Sequence, residues 1–345
     1  MNDFKFDIPS AIKDFDQGSF DTQEESDKFF EKHGVGNSIF EPINPYERLT
    51  AYYKLLFELF THDKEKYQRI HKGIPFYFLA WLAFDCHQYQ KALFFIDAAV
   101  SEDIRATEKT RTKDDPYPWM RSPACEFLLL KPEKQVGLRA FWVLQDNFEN
   151  ELLRFNVFRI ENIKQRLTKA FFVNNFIVPN FINDSALDRN KKKRTNRTII
   201  CAFYQFILEY KERRNDLRLR SIEGGSITPF VIHLFSGALI FESLLKQLFP
   251  KIDNGKTPKN IGDITNSNQF ISKFGEINIS AYTIQEIIDG VKDNSLKTSF
   301  STTAKIRNTT GHNFVWDDNF NDPSNYELLA DQIINAIFYL IVSSY

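Results

Sequence analysis

Cysteine is scarce: Cys86, Cys125 and Cys201 are the only three in 345 residues. They lie far apart beside apolar neighbours, with no CxxC pair. That spacing excludes a disulfide framework and a cysteine-based zinc site, and buried, reduced thiols are the expectation. Net charge is nearly absent as well. A formal balance of −1 excludes a global field that draws in nucleic acid, so RNA binding has to come from local patches. Long apolar runs are missing. The longest late run, Ala336–Val342, is far short of a membrane span. The opening Met1-Asn2-Asp3-Phe4-Lys5-Phe6-Asp7 has no basic-then-apolar signal layout. A cytoplasmic chain without a membrane partner is therefore expected.

Chemistry-bearing motifs are also few. The chain has no Walker loop, GxGxxG, GxSxG or HExxH. Its six histidines (33, 62, 71, 87, 233 and 312) are scattered without metal-partner spacing, so no metal or cofactor is expected. Asp317–Asn325 lacks the central glycine and closing glutamate of a calcium loop and reads as an Asx-turn loop.

What the chain does have is phenylalanine, 35 residues of it, which points to bulky core packing. The apolar pattern is helical through most of the length, and the expected class is all-α. Residues 1–44 read as a partly irregular lead-in with one short helix near Glu24–Lys32. From Pro45, the residues Leu49, Tyr52, Tyr53, Leu56, Leu59 and Phe60 share three- and four-residue spacing and predict one buried face. Phe76, Leu79, Ala80, Phe84, Tyr89, Ala92, Ile96 and Ala99 follow. Residues 105–123, with Asp115-Pro116-Tyr117-Pro118-Trp119, read as a long connection, and helical spacing returns over 135–158. A scaffold or sensor region over 45–220 and a C-terminal domain over 221–345 are expected.

Two basic runs stand out. In Arg189-Asn190-Lys191-Lys192-Lys193-Arg194-Thr195-Asn196-Arg197, six of nine residues are basic. Arg189, Lys191, Lys192, Lys193, Arg194 and Arg197 read as a phosphate-contacting patch for RNA, or as a solvated loop before a helix starting near Ile199. Lys211, Arg213, Arg214, Arg218 and Arg220 form the second run.

Further on, Thr228-Pro229 predicts an N-cap followed by proline at the first helical position. A short helix is expected over 282–291. Ser324 and Glu327 have capping-box spacing ahead of a last helix that buries Leu328, Leu329, Ile333, Ala336, Ile337, Leu340 and Ile341.

Between these helices lies Arg307-Asn308-Thr309-Thr310-Gly311-His312. Asn308 and His312 share a face if the segment is helical, and Gly311 permits a kink. Arg307 could also simply pair with Asp317 or Asp318, and His312 could cap a helix. Glu242 and Lys246 on the earlier helix have the spacing of a surface i,i+4 pair.

The segment Phe76–Ala99 resembles one tetratricopeptide repeat, in which small residues let two helices approach closely. The C-terminal third, from Ser221, resembles the HEPN family of small helical domains. It carries that family's Arg-polar-x3-His motif in Arg307, Asn308 and His312, an apolar last helix, and an upstream helix with an acidic residue four before a basic one, Glu242 and Lys246. The segment Asp253–Gly275 departs from a minimal four-helix version. The resemblance implies a metal-independent endoribonuclease acting on RNA as a homodimer through the C-terminal domain, serving as a toxin or antiviral-defence effector. Arg307 would carry the phosphate charge, His312 the proton, and Asn308 would orient one or the other, with Glu242 and Lys246 in support. A regulatory protein or ligand is expected at the N-terminal helical region. The alternative is a non-catalytic helical adaptor that dimerises or binds nucleotide.

Overall fold

The structure is a computed structural model that describes residues 4–36, 44–110, 186–219, 226–281, 283–310 and 316–344. These residues form helices. Among them β-pairing is limited to one isolated bridge between Ile252 and Lys256, so the fold is all-α. The chain divides into two compact units, Met1–Val143 and Leu144–Tyr345. This division differs from boundaries at 44 and 220. The connection expected over 105–123 is helical over its first six residues, through Thr110; its remainder and the helical stretch over 135–158 fall outside the described residues, as does Cys125. Cys86 is buried and free.

In the first unit, α2 (Gln23–Lys32) is the short helix expected near Glu24–Lys32, whereas α1 (Ile8–Gln17) lies in the part of the lead-in expected to be irregular. Each has a start signal. The Asp7 carboxylate accepts from the Ser10 amide, with Pro9 in the first turn. Thr22 and Glu25 make a reciprocal capping box. Their buried side, with Phe15, Phe20 and Phe29, is a ring cluster. α3 (Pro45–His62) buries Leu49, Tyr52, Leu55, Leu56 and Leu59. Tyr53 and Phe60, expected on that face, are exposed instead.

After the short α4 (Lys64–Arg69), α5 (Gly73–Asp85) and α6 (Tyr89–Thr110) form an antiparallel hairpin. Ala80, Ala83, Ala92 and Ala99 are fully buried, consistent with the close approach that small residues allow. Ahead of α5 lies a buried polar group. His71 Nε2 is 3.2 Å from Asp103 and its Nδ1 is 3.7 Å from Asp27. Burial pulls the imidazolium down, but the two carboxylates outweigh it and hold its pKa at about 9. A Cβ at Gly73 would come within 2.6 Å of both His71 and Asp103, so the pair needs glycine there.

The second unit is built on four helices: α7 (Ala186–Leu219), α8 (Thr228–Leu248), α12 (Leu296–Thr310) and α13 (Pro323–Ser344). α8 packs against the other three. Between α8 and α12 run three short helices, α9 (Ile261–Thr265), α10 (Asn268–Phe274) and α11 (Ile284–Asp289). Among the described residues α8 alone is long and apolar enough to cross a membrane, and 61% of its apolar window is buried within the protein. Gly237 makes its packing possible: a Cβ there would fall 2.5 Å from the Phe206 ring and 2.8 Å from Ile333.

A buried histidine ties three of the four helices together. His233 of α8 stacks on Phe206 of α7, with ring centroids 4.2 Å apart. Its Nε2–H donates to the Phe206 carbonyl at 2.8 Å, and the Tyr326 hydroxyl of α13 donates to Nδ1 at 2.9 Å. A carbonyl only accepts, which fixes the tautomer. Burial pushes the His233 pKa down to about 3, so this ring is a neutral core group.

Three helix starts differ from expectation. Thr228 is already helical, and its amide is met by Ser226 Oγ. α13 begins at Pro323, so Asp322 takes the Ser324 amide in place of a Ser324 cap. Glu327, released from capping, pairs with Arg218 at 2.5 Å. α7 is already helical at Ala186, the first described residue of this segment, and runs straight through 189–197, which removes the loop reading of that basic run.

Candidate functional site

Arg307 stands in the last turn of α12. Asp293 and Ser295 start that helix by accepting from the Ser295 and Thr298 amides. Phe300, Ala304 and Ile306 then seat it in the core, and this register turns Arg307 towards α8. A cation in a final turn also faces the negative end of the helix dipole.

Three residues of α8 define where the guanidinium goes. Arg307 Nε–H donates to Glu242 Oε2 at 2.5 Å. The guanidinium carbon lies 5.1 Å from the centre of the Phe235 ring, within cation–π range. The second oxygen of Glu242 takes Lys246 Nζ at 2.7 Å. Phe235, Glu242 and Lys246 are seven and four residues apart, which places them along one side of a helix. Glu242 is buried, 5% exposed at its side chain, whereas Arg307 keeps 28% and Lys246 38%. One buried carboxylate therefore holds two part-exposed cations, leaving a net positive spot with fixed geometry. Lys246 Nζ also donates to the Lys259 carbonyl at 3.0 Å. That bond ties the segment between α8 and α9 to the same place.

The structure thus brings Arg307, Glu242 and Lys246 together. Glu242 and Lys246 are the expected i,i+4 pair, with the ammonium part-exposed, the carboxylate buried, and Arg307 as a third member. The described carboxylate partner of Arg307 is Glu242. Asn308 is exposed one position further along. The described part of α12 ends at Thr310, whose hydroxyl donates back to the Ile306 carbonyl at 2.6 Å. Gly311 and His312 lie outside the described residues. Of Arg189, Lys191, Lys192, Lys193, Arg194 and Arg197, the structure describes the helical backbone and not the side chains.

Of the second basic run, Arg220 and the Lys211 side chain lie outside the described residues, and the other three are engaged within the fold. Arg213 pairs with Glu209 at 2.7 Å, Arg218 with Glu327, and Arg214 lies over the Tyr210 ring at 5.6 Å. Among the described residues no three metal-ligating side chains gather at one point. Sequence reading missed Phe235. Its only signal is its position, two helical turns before Glu242.

The chain matches no protein-family model, no curated protein and no solved structure.

Proposed function

We propose that the C-terminal unit carries half of a metal-independent endoribonuclease site, completed in a homodimer, in a cytoplasmic toxin or antiviral-defence effector related to the HEPN family. The observation that supports this reading is the meeting of Glu242 and Phe235 with Arg307. A guanidinium held at Nε by a buried carboxylate and backed by a ring is a pre-aimed cation. Such a cation suits the charge that develops on a phosphorane. RNA supplies its own nucleophile, the ribose 2′-hydroxyl. His312, five residues beyond Arg307 and so within about 17 Å of it along the chain, would exchange the proton, and an imidazole does so readily near neutral pH. Asn308 would orient His312 or a phosphate oxygen. Two such motifs about a two-fold axis would supply both the acid and the base. The basic run on α7 would carry RNA phosphates.

A second reading rests on the same contacts. Glu242 ties both cations inward, as a structural clamp would, and the chain would then be a non-catalytic adaptor that dimerises or binds nucleotide.

Cleavage of a labelled single-stranded RNA in EDTA separates the two. The wild type should yield 2′,3′-cyclic phosphate and 5′-hydroxyl ends, and His312→Ala and Arg307→Ala should each lose about a hundredfold or more in rate. Equal cleavage by wild type and both variants, or activity that appears only with added divalent metal, would leave the adaptor reading standing.

A further inference from the structure

In the N-terminal unit every exposed large apolar side chain among the described residues is aromatic: Tyr46, Tyr53, Phe57, Phe60 and Phe94. Four of them form one stripe of α3, at successive spacings of seven, four and three residues, which is a single helical face. The adjoining face, about a quarter turn around the helix, carries Leu49, Tyr52, Leu56 and Leu59 and fills the core. Phe94 of α6 lies next to the buried Phe95, whose ring packs edge-on against both Phe94 and Tyr53 of the stripe. Phe57 and Phe94 are the most open of the five, at 64% and 65% exposure. An exposed apolar patch of this kind marks an interaction surface.

Charge narrows the class of partner. Lys91 Nζ lies 5.2 Å from the Tyr53 ring centre and Lys64 Nζ 5.8 Å from that of Phe60. Lys54 is exposed beside Tyr53. Glu47 and Glu58 lie about 100° or more around α3 from the centre of the stripe, on the flank that Lys54 also occupies. Asp97, one turn beyond Phe94, turns a carboxylate oxygen inward. Protein interfaces are enriched in aromatic residues but depleted in lysine. Rings interleaved with lysines, without aliphatic side chains, suit unpaired bases on a phosphate backbone.

We propose that this face of α3 and α6 binds single-stranded RNA, with bases stacking on Phe57 and Phe94 and phosphates meeting Lys54, Lys64 and Lys91. The choice of RNA over DNA rests on the nuclease reading; the stacking does not depend on cleavage at Arg307.

The test uses the full chain and a fluorescein-labelled 2′-O-methyl oligouridine of about 15 nucleotides. This probe lacks the nucleophilic hydroxyl and cannot be cleaved by 2′-oxygen attack. Fluorescence anisotropy gives the affinity. Phe57→Ala and Phe94→Ala should each weaken binding by about fivefold or more, the least expected for losing one base–aromatic stack. Both sites are open, so thermal unfolding should be unchanged. Phe57→Trp should bind like the wild type, and Phe57→Leu should behave like the alanine variant. Lys54→Ala with Lys91→Ala should flatten the salt dependence by about 0.7 per lost phosphate contact. A duplex of the same length should bind more weakly. Wild-type affinity in both phenylalanine variants, a leucine variant as good as tryptophan, or equal affinity for duplex would overturn the proposal. An apolar protein partner would then be the better occupant. Cleavage unaffected by Arg307→Ala would defeat the nuclease reading while leaving this binding result intact.

Discussion

Glu242 sits between two cations of different origin: Lys246, one turn along its own helix, and Arg307, 65 residues later on α12. Removing the carboxylate leaves two like charges facing each other beside a buried gap. Glu242→Ala should cost about 2 kcal/mol, less than a fully buried pair because both cations keep contact with solvent. In a unit of this size that is about 4–8 °C in Tm. Arg307→Lys tests geometry against charge. It keeps the cation but gives up the fork and the ring contact. On the proposed function, its RNA cleavage should fall by about tenfold or more, towards that of Arg307→Ala, whereas a site that needs only positive charge would retain wild-type rates.

His233 gives the second unit a dependence on acid. Its folded pKa is about 3, against 6.5 for the free side chain. Between these values the unfolded chain binds the proton and the folded chain does not, so stability falls as pH drops below about 6.5, down to about 3. The slope from this one group is at most about 1.4 kcal/mol per pH unit. Thermal unfolding from pH 7 to pH 4 should show it, and His233→Gln should remove that component while lowering stability at pH 7.

His71 works in the opposite sense in the first unit. Its pKa is raised to about 9, so the folded state binds the proton more tightly than the unfolded one. The stabilisation is fully present below pH 6.5 and is lost as pH rises through 9. Asp103→Asn removes the nearer carboxylate. The variant should be less stable than wild type at pH 6, and the difference should shrink by pH 10, as read from urea midpoints.

Gly237 leaves no room for a methyl group. Gly237→Ala would press on Phe206, the ring that stacks on His233, and on Ile333 of α13. Overpacking of this kind costs about 1–3 kcal/mol, against the gain of up to about 1 kcal/mol that alanine normally brings to a helix interior. A net loss in denaturant midpoint is expected. A net gain would mean that α7 and α13 can move apart at this point.

Helices were most legible where proline, capping residues and apolar spacing coincide. Pro45 and Pro229 each stand at a helix start. Asp7-Ile8-Pro9 carries the same signal, but its polar surroundings mask the apolar spacing. Ser324 and Glu327 have capping-box spacing but form no box, because Pro323 already occupies the first helical position and Glu327 is drawn to Arg218, which lies over a hundred residues earlier. Tyr53 and Phe60 share three- and four-residue spacing with Leu49, Leu56 and Leu59, but α3 carries an aromatic stripe beside its leucine-rich buried face, and spacing alone does not separate the two.

The sequence by itself determined that the chain is helical and where most of the described helices lie, because periodicity and capping are local properties. It also singled out Arg307, Glu242 and Lys246 as residues of interest. Only the tertiary structure decided that the three meet, that Phe235 backs the guanidinium, that His233 is a neutral core ring, and that much of the second basic run is spent on internal pairs. Each of these depends on which helix faces which. That is settled by long-range packing around Gly237, Phe206 and Tyr326, and neighbouring residues in the sequence do not encode it.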